Sequence, residues 1–167
     1  MQTQTLSKSN NQLLRYEKKW ICTNISYEEI YCKISRLNFY FREVFNKRIV
    51  NSVYYDFPNY ASIIDNVEGE ANRKKYRVRW YGNSKYEKKF FFEIKYKSGF
   101  RSFKKRKEIL LNKEIDITDP KNFEKLKDKF DLNFKIKRLL SPKIYINYKR
   151  TYLVSSNNLI RCTLDQD

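Results

Sequence analysis

Alternation of charged and apolar residues constrains this chain most, because it recurs in segments of strand length. Residues 75–81 read KYRVRWY and residues 90–97 read FFFEIKYK, with Gly82-Asn83-Ser84 between them. Successive side chains of a strand point to opposite faces, so each segment would have one charged face and one apolar face. Gly-Asn-Ser is also a turn signal. We therefore predict a β-hairpin over these two segments.

Similar patterns predict further strands along the chain. We expect them at Leu13–Cys22, Val50–Asp56, Ile144–Val154 and Leu159–Asp165. The segment from Phe100 to Leu111 fits either the end of a strand or a basic helix.

Three helices are expected between the strands. Ser26 and Glu29 form a capping box, and the helix that it opens has Ile30, Ile34 and Leu37 on one stripe. A short helix is expected around Tyr60–Asn66. Asp119 and Pro120 suit a helix start as cap and first helical residue. The apolar stripe of this last helix consists of Phe123, Leu126 and Phe130.

This order of elements predicts an α+β fold with a mainly antiparallel sheet. If the sheet curls on itself, it would form a β-tunnel or barrel, with the helices packed outside and the charged strand faces inside. Residues 1–11 are polar and are predicted to be a flexible N-terminus. Residues 12–167 are predicted to form a single domain.

The charge of the chain points to a polyanionic partner. Lys and Arg number 36 against 19 Asp and Glu, a net charge of +17. The sequence has no His, which argues against zinc sites and His-dependent acid–base catalysis. Its three widely spaced Cys suit a reducing compartment. We expect a cytoplasmic protein, since no signal peptide or membrane-spanning run is visible.

Strand parity collects polar and charged side chains on one face of each predicted strand. A solvated sheet face is the alternative reading, but arginines spaced two apart suit bidentate binding of phosphate. The residues concerned are Arg15, Glu17 and Lys19; Arg77 and Arg79; Glu93, Lys95 and Lys97; Tyr148 and Arg150; and Arg161, Thr163 and Asp165.

The ordered series RYEKKW, VNSVYYD, RVRWYG, FEIKYK, YKR and IRCTLD resembles the VTC domain of polyphosphate polymerases, within the triphosphate tunnel metalloenzyme (CYTH-like) superfamily. The resemblance covers residues 13–167. It implies a tunnel that holds nucleoside triphosphate and polyphosphate and transfers a terminal phosphoryl group. Catalysis would then consist of positioning and charge neutralisation.

The resemblance also implies individual roles. Catalytic cations would be Lys19, Arg77, Arg79, Lys95, Arg150 and Arg161, and substrate contacts Arg15, Lys104, Lys105 and Tyr148. A divalent metal, Mn²⁺ or Mg²⁺, is implied, with Glu93 and Glu17 as candidate ligands or salt-bridge partners.

Two departures from the family pattern qualify these expectations. The first strand has Arg15 where the superfamily prefers Glu, and the chain stops at Asp167, where the family normally continues with further strands. A truncated tunnel, or one completed by a second subunit, is therefore an expectation too.

Three alternatives stay open: a polyphosphate-binding module without turnover, a triphosphatase, and an RNA-binding domain. Nucleic acid is disfavoured because stacking rings should share a face with the cations, whereas Trp80 and Phe92 alternate with them.

Overall fold

A computed structural model describes residues 17–99, 101–134 and 140–166 of the chain. Three helices and six strands occur along these residues. They are α1 (Tyr27–Ser35), β1 (Arg42–Asp56), α2 (Ala61–Val67), β2 (Asn72–Tyr81), β3 (Tyr86–Ser98), β4 (Arg101–Asp116), α3 (Pro120–Phe134), β5 (Ser141–Val154) and β6 (Arg161–Gln166). The predicted α+β class is confirmed.

The six strands form one antiparallel sheet in the order β4-β3-β2-β1-β5-β6. Within the described residues this sheet is open, because β4 and β6 are each paired on one side alone. The predicted β-tunnel or barrel is therefore not closed by these six strands. Hairpin spacing and strand parity predict local pairing, but closure depends on whether the two edge strands, β4 and β6, meet.

The predicted hairpin is β2 and β3, joined by a turn that begins at Gly82. Gly82 has a φ of +105°, which residues with a Cβ rarely adopt. Its N–H donates to the carbonyl of Ile49 at 3.0 Å, and its own carbonyl accepts from the Asn51 amide at 2.8 Å. The turn is thereby tied to the central strand β1.

One face of the sheet packs against α3 to form the hydrophobic core. Trp80 is 1% exposed and stacks on Phe123 of the helix, with ring centroids 5.5 Å apart. Phe92 and Leu126 are also buried there, as the parity of β3 and the helical spacing predict. The side chain of Phe130, the third member of the predicted stripe, lies outside the described residues.

The helix starts agree with the sequence analysis. Ser26 Oγ accepts from the Glu29 N–H at 3.1 Å, and Glu29 Oε2 accepts from the Ser26 N–H at 2.8 Å, which completes the capping box. α3 begins at Pro120, as expected. α1 differs in two respects: none of its residues is fully buried, and Leu37 of the predicted stripe lies beyond its end.

The predicted first strand is wrong where it can be compared. Residues 17–22 have no strand structure, and residues 13–16 lie outside the described residues. Trp20 is 76% exposed and Ile21 is 94% exposed, so no apolar face of this segment is covered. A strand needs a hydrogen-bonded neighbour, and alternation alone does not supply one.

Most strands are longer than their patterns suggest, and β1 and β4 show the reason. β1 begins at Arg42 instead of Val50, because its first half pairs with β5 through irregular register between Glu43 and Arg48. The ambiguous basic segment is the strand β4, which extends to Asp116 through its pairing with β3. Both extensions depend on partners distant in sequence.

Candidate functional site

Register places the predicted polar side chains on the sheet face opposite the core. Arg77 lies directly across from Glu93, and residues directly opposite each other share a face. Val50 pairs with both Tyr81 and Tyr148, which joins the two halves of the sheet. We call this surface the cationic face; it carries Lys75, Arg77, Arg79, Glu93, Lys95, Lys104, Arg106, Tyr148, Arg150 and Arg161.

Glu93 is the centre of a cluster of three cations. Its side chain is 1% exposed, and its Oε2 accepts from both Nε and Nη2 of Arg77 at 2.6 Å. Oε1 lies 3.3 Å from Lys104 Nζ and 3.4 Å from Arg106 Nε. Burial raises the pKa of Glu93, but these charges outweigh it, and the pKa lies below its usual value. With three cations and one carboxylate, the cluster has a net charge of +2.

Tyr54 extends this cluster towards β1. Its hydroxyl accepts from Arg77 Nη1 at 3.1 Å. Burial raises the pKa of Tyr54, but the charge and hydrogen bond of Arg77 together with the charges of Arg79 and Lys75 lower it by more, so the phenol is more acidic than usual. Tyr54 and Glu93 together fix the Arg77 guanidinium from two sides.

Arg79 is a buried guanidinium without a carboxylate. It is 7% exposed, and its Nε donates to Ser52 Oγ at 3.1 Å while Nη2 donates to the Tyr148 hydroxyl at 3.3 Å. Among the described residues no acidic group lies within 4.0 Å of it. Burying an unpaired charge is costly, so Arg79 is a candidate for binding an anion.

A row of three lysines crosses β2, β3 and β4 beside this cluster. Lys95 lies directly across from Lys75 on one side and Lys104 on the other. Like charges directly opposite each other destabilise a sheet. Burial lowers the pKa of Lys75, and the neighbouring cations lower it further. An anion bound across this row would relieve the repulsion.

Arg150 lies on β5 and is held by β6. Its Nε and Nη2 donate to Asp165 Oδ1 and Oδ2 at 2.5 and 2.6 Å, a bidentate pair that raises the Arg150 pKa despite burial. Arg161 is on the same face but four residues from Asp165 along β6, about 13 Å at the usual strand rise. The structure thus does not bring Arg161 into contact with the Arg77 cluster.

The N-terminal segment reaches the rim of the lysine row. Glu17 Oε2 lies 3.4 Å from Lys95 Nζ, and Glu17 Oε1 lies 3.5 Å from Lys19 Nζ. Lys19 has 81% of its side chain exposed, so it lies at the edge of the site. Arg15 lies outside the described residues.

Lys105 differs from the other predicted contacts. It lies across from the core residue Ile94 and its Nζ is 5.7 Å from the centroid of the Tyr96 ring, on the reverse face of the sheet. Its neighbour Lys104 is on the cationic face. The sequence could not assign Lys104 and Lys105 to a face, because this segment fitted either a strand or a helix. The strand register of β4 made the assignment.

Two members of the site were not singled out from the sequence. Lys75 continues the alternation of Arg77 and Arg79 by two residues, so parity was sufficient to find it. Arg106 contacts Glu93, but its face could be assigned only once the basic segment was known to be a strand.

The carboxylates described do not form a cage for a divalent cation. Both oxygens of Glu93 are occupied by cationic side chains, and Glu17 lies between two lysines. No cluster of three acidic or cysteine side chains occurs in the described ranges. Hard divalent cations need several free oxygen ligands. Dependence on Mn²⁺ or Mg²⁺ stays a prediction.

No helix within the described ranges is long and apolar enough to span a bilayer.

Comparison with known proteins agrees with this geometry. No curated protein matches the chain significantly. A family model described as "VTC domain" matches residues 14–167, nearly the whole sequence. Since this match covers well over half of the chain, the protein belongs to the VTC domain family.

Proposed function

We propose that the cationic face binds the phosphate chains of polyphosphate and of a nucleoside triphosphate, and transfers the terminal phosphoryl group of the nucleotide to polyphosphate. The observation that carries this proposal is Arg79, a buried guanidinium with no acidic partner among the described residues. Membership of the VTC domain family supports a function that involves polyphosphate.

The reaction would exchange one phosphoanhydride bond for another. A terminal oxygen of polyphosphate attacks the γ-phosphorus of the nucleotide and forms a new P–O bond. The bond from the γ-phosphorus to the β–γ bridging oxygen breaks, and the nucleoside diphosphate leaves with the electron pair. In such transfers the protein contributes mainly positioning and neutralisation of charge.

The described cations suit these two tasks. Arg77 is fixed by Glu93 and Tyr54, and Arg79 by Ser52 and Tyr148, so their guanidinium groups are oriented before an anion arrives. Donors held in place stabilise developing charge without reorganising. The lysines of the row beside them add point charges on longer, mobile side chains.

The proposal includes a tunnel. We propose that strands beyond the six described, from this chain or from a second subunit, cover the cationic face between the edges β4 and β6. Bound polyphosphate would then resist an added exopolyphosphatase. Digestion of bound chains as fast as free ones would contradict the tunnel and leave an open binding surface.

A first experiment tests binding. We expect tripolyphosphate to raise the melting temperature by mass action, and to do so more than single-stranded RNA of equal charge. Replacing Arg79 by Gln should strongly reduce this rise in melting temperature. Replacing both Arg77 and Arg79 by Ala should abolish it. The reverse order of the two ligands would contradict phosphate-chain binding.

A second experiment tests turnover. Incubation with ATP and with Mn²⁺ or Mg²⁺, or with a chelator, should yield polyphosphate only where the metal is present. Tight binding without any product would favour the binding module, which the open sheet of the described strands also suits. Release of inorganic phosphate without polymer would favour a triphosphatase.

A further inference from the structure

A second feature of the cationic face is a cavity of about 510 Å³ beside the phosphate-binding residues. We propose that it binds the base and ribose of the donor nucleotide. This inference rests on the proposed function, since it assigns the nucleoside part of the same substrate. The walls are formed chiefly by Phe45, Arg48, Tyr81, Phe91, Arg106 and Tyr152.

Two arginines lie against the aromatic rings of this cavity. The Arg48 guanidinium lies 4.6, 5.3 and 5.0 Å from the ring centroids of Phe45, Tyr81 and Tyr152. The Arg106 guanidinium lies 3.8 Å from the centroid of Phe91. Flat rings and guanidinium planes are the groups on which nucleobases stack. The volume lies in the range of small-molecule sites.

The rings of the cavity are not needed for the hydrophobic core. Phe45 is 52% exposed, and Tyr81, Phe91 and Tyr152 are half-buried on the face away from α3. Rings that serve the core, such as Trp80, are almost completely buried. Exposing a cluster of aromatic rings to water is unfavourable in free energy, and a ligand stacked on the rings would offset this.

The cavity adjoins the phosphate-binding residues directly. Phe91 lies across from Arg79 in the sheet, and Arg48 lies across from Arg150. Among the described residues Arg48 has no acidic group within 4.0 Å. A nucleoside in the cavity would therefore place its 5′-phosphates over Arg79 and Arg150.

The polar part of the wall suits a nucleoside as well. Glu87 lines the cavity, and one of its carboxylate oxygens accepts from the backbone N–H groups of Lys88 and Lys89. A carboxylate fixed in this way can accept hydrogen bonds from ribose hydroxyls or from an exocyclic amino group. Inorganic polyphosphate has neither group.

The test compares ATP with tripolyphosphate, which has the phosphates but no nucleoside. We expect Phe45→Leu and Phe91→Leu each to weaken ATP binding about tenfold, in line with the loss of one stacking ring. Tripolyphosphate binding should stay within about twofold. The matched control is Phe103→Leu, which removes a 38% exposed ring from the reverse face and should affect neither ligand.

Ribose 5-triphosphate gives a second measurement that needs no variant. Wild type should bind it more weakly than ATP, because the base is missing. Equal affinity for the two, or an equal loss of ATP and tripolyphosphate in the cavity variants, would overturn the nucleoside site. A third outcome would also overturn it: an RNA oligonucleotide without a 5′-triphosphate binds as tightly as ATP, and the same variants weaken that binding. If tripolyphosphate does not bind wild type, the result contradicts the proposed function itself and not only the nucleoside site.

Discussion

Arg77 places two of its nitrogens, Nε and Nη2, on the same oxygen of Glu93, each at 2.6 Å. Glu93 is 1% exposed and Arg77 has 18% of its side chain exposed, so the pair lies mostly out of water. The second carboxylate oxygen is left for Lys104 and Arg106. One buried carboxylate therefore holds cations from β2 and β4 in position.

Replacing Glu93 by Gln should destabilise the protein by about 3 kcal/mol. Removing one partner of a buried ion pair leaves the other charge uncompensated. Tripolyphosphate should restore more stability to this variant than to wild type, because an anion then replaces the carboxylate. Chemical denaturation with and without the ligand measures both effects.

Glu108→Gln is the matched control for that variant. Glu108 pairs with Lys89 at 2.9 Å, but both side chains are about half exposed. An exposed pair contributes less than about 1 kcal/mol, so this change should be nearly neutral. Equal losses in the two variants would contradict a special role for Glu93.

The stability of wild type should depend on pH through Glu93. Burial raises the pKa of this carboxyl, but the charges of Arg77, Lys104 and Arg79 together with the Arg77 hydrogen bond lower it by more, so the folded pKa lies below the ordinary 4.5. Such a group stabilises the fold above its unfolded pKa, and this stability is lost as pH falls through the folded pKa. We expect Glu93→Gln to flatten the decline below about pH 4.5. Urea titrations at several acidic pH values would show it, and parallel curves would contradict it.

Lys104 and Lys105 provide a direct test of which face binds phosphate. Lys104→Ala should weaken tripolyphosphate binding several-fold, because it removes a point charge beside Glu93. Lys105→Ala removes the same charge one residue further on, from the reverse face. It should change affinity little. Titration calorimetry on both variants measures the two affinities for tripolyphosphate. Equal losses of affinity would mean that net charge alone attracts the ligand.

Asp56 is expected to be a stability residue and not a site residue. It is 2% exposed, and its carboxylate accepts from the backbone N–H groups of Phe57, Ser62 and Ile63 at 2.7 to 3.0 Å. Asp56→Ala should lower stability by about 2 kcal/mol or more, because buried donors are left unsatisfied. Affinity for tripolyphosphate, measured well below the melting temperature, should be unchanged. A loss of affinity would place α2 in the site.

Several parts of the site could be predicted from local pattern. Arg77 and Arg79 required only parity within one strand, and the face opposite them is the core that parity also predicted. The start of α3 at Pro120 followed from capping chemistry. These features depend on residues a few positions apart, which the chain brings together without help from distant partners.

Other features depended on pairing at long range. Residues 17–22 alternate like a strand but have no neighbour among the described strands. The basic segment is a strand because β3 is beside it, and this register alone separates Lys104 from Lys105.

The alternation of charged and apolar residues with which the sequence analysis began thus determined which side chains share a face. It also determined that the chain builds an antiparallel sheet with a cationic side. Only the tertiary structure decided which strands are neighbours, that Glu93 collects three cations, and that Arg79 is buried without an acid. The physical reason is that side-chain direction is fixed by the backbone of one strand, whereas contact requires the register between strands.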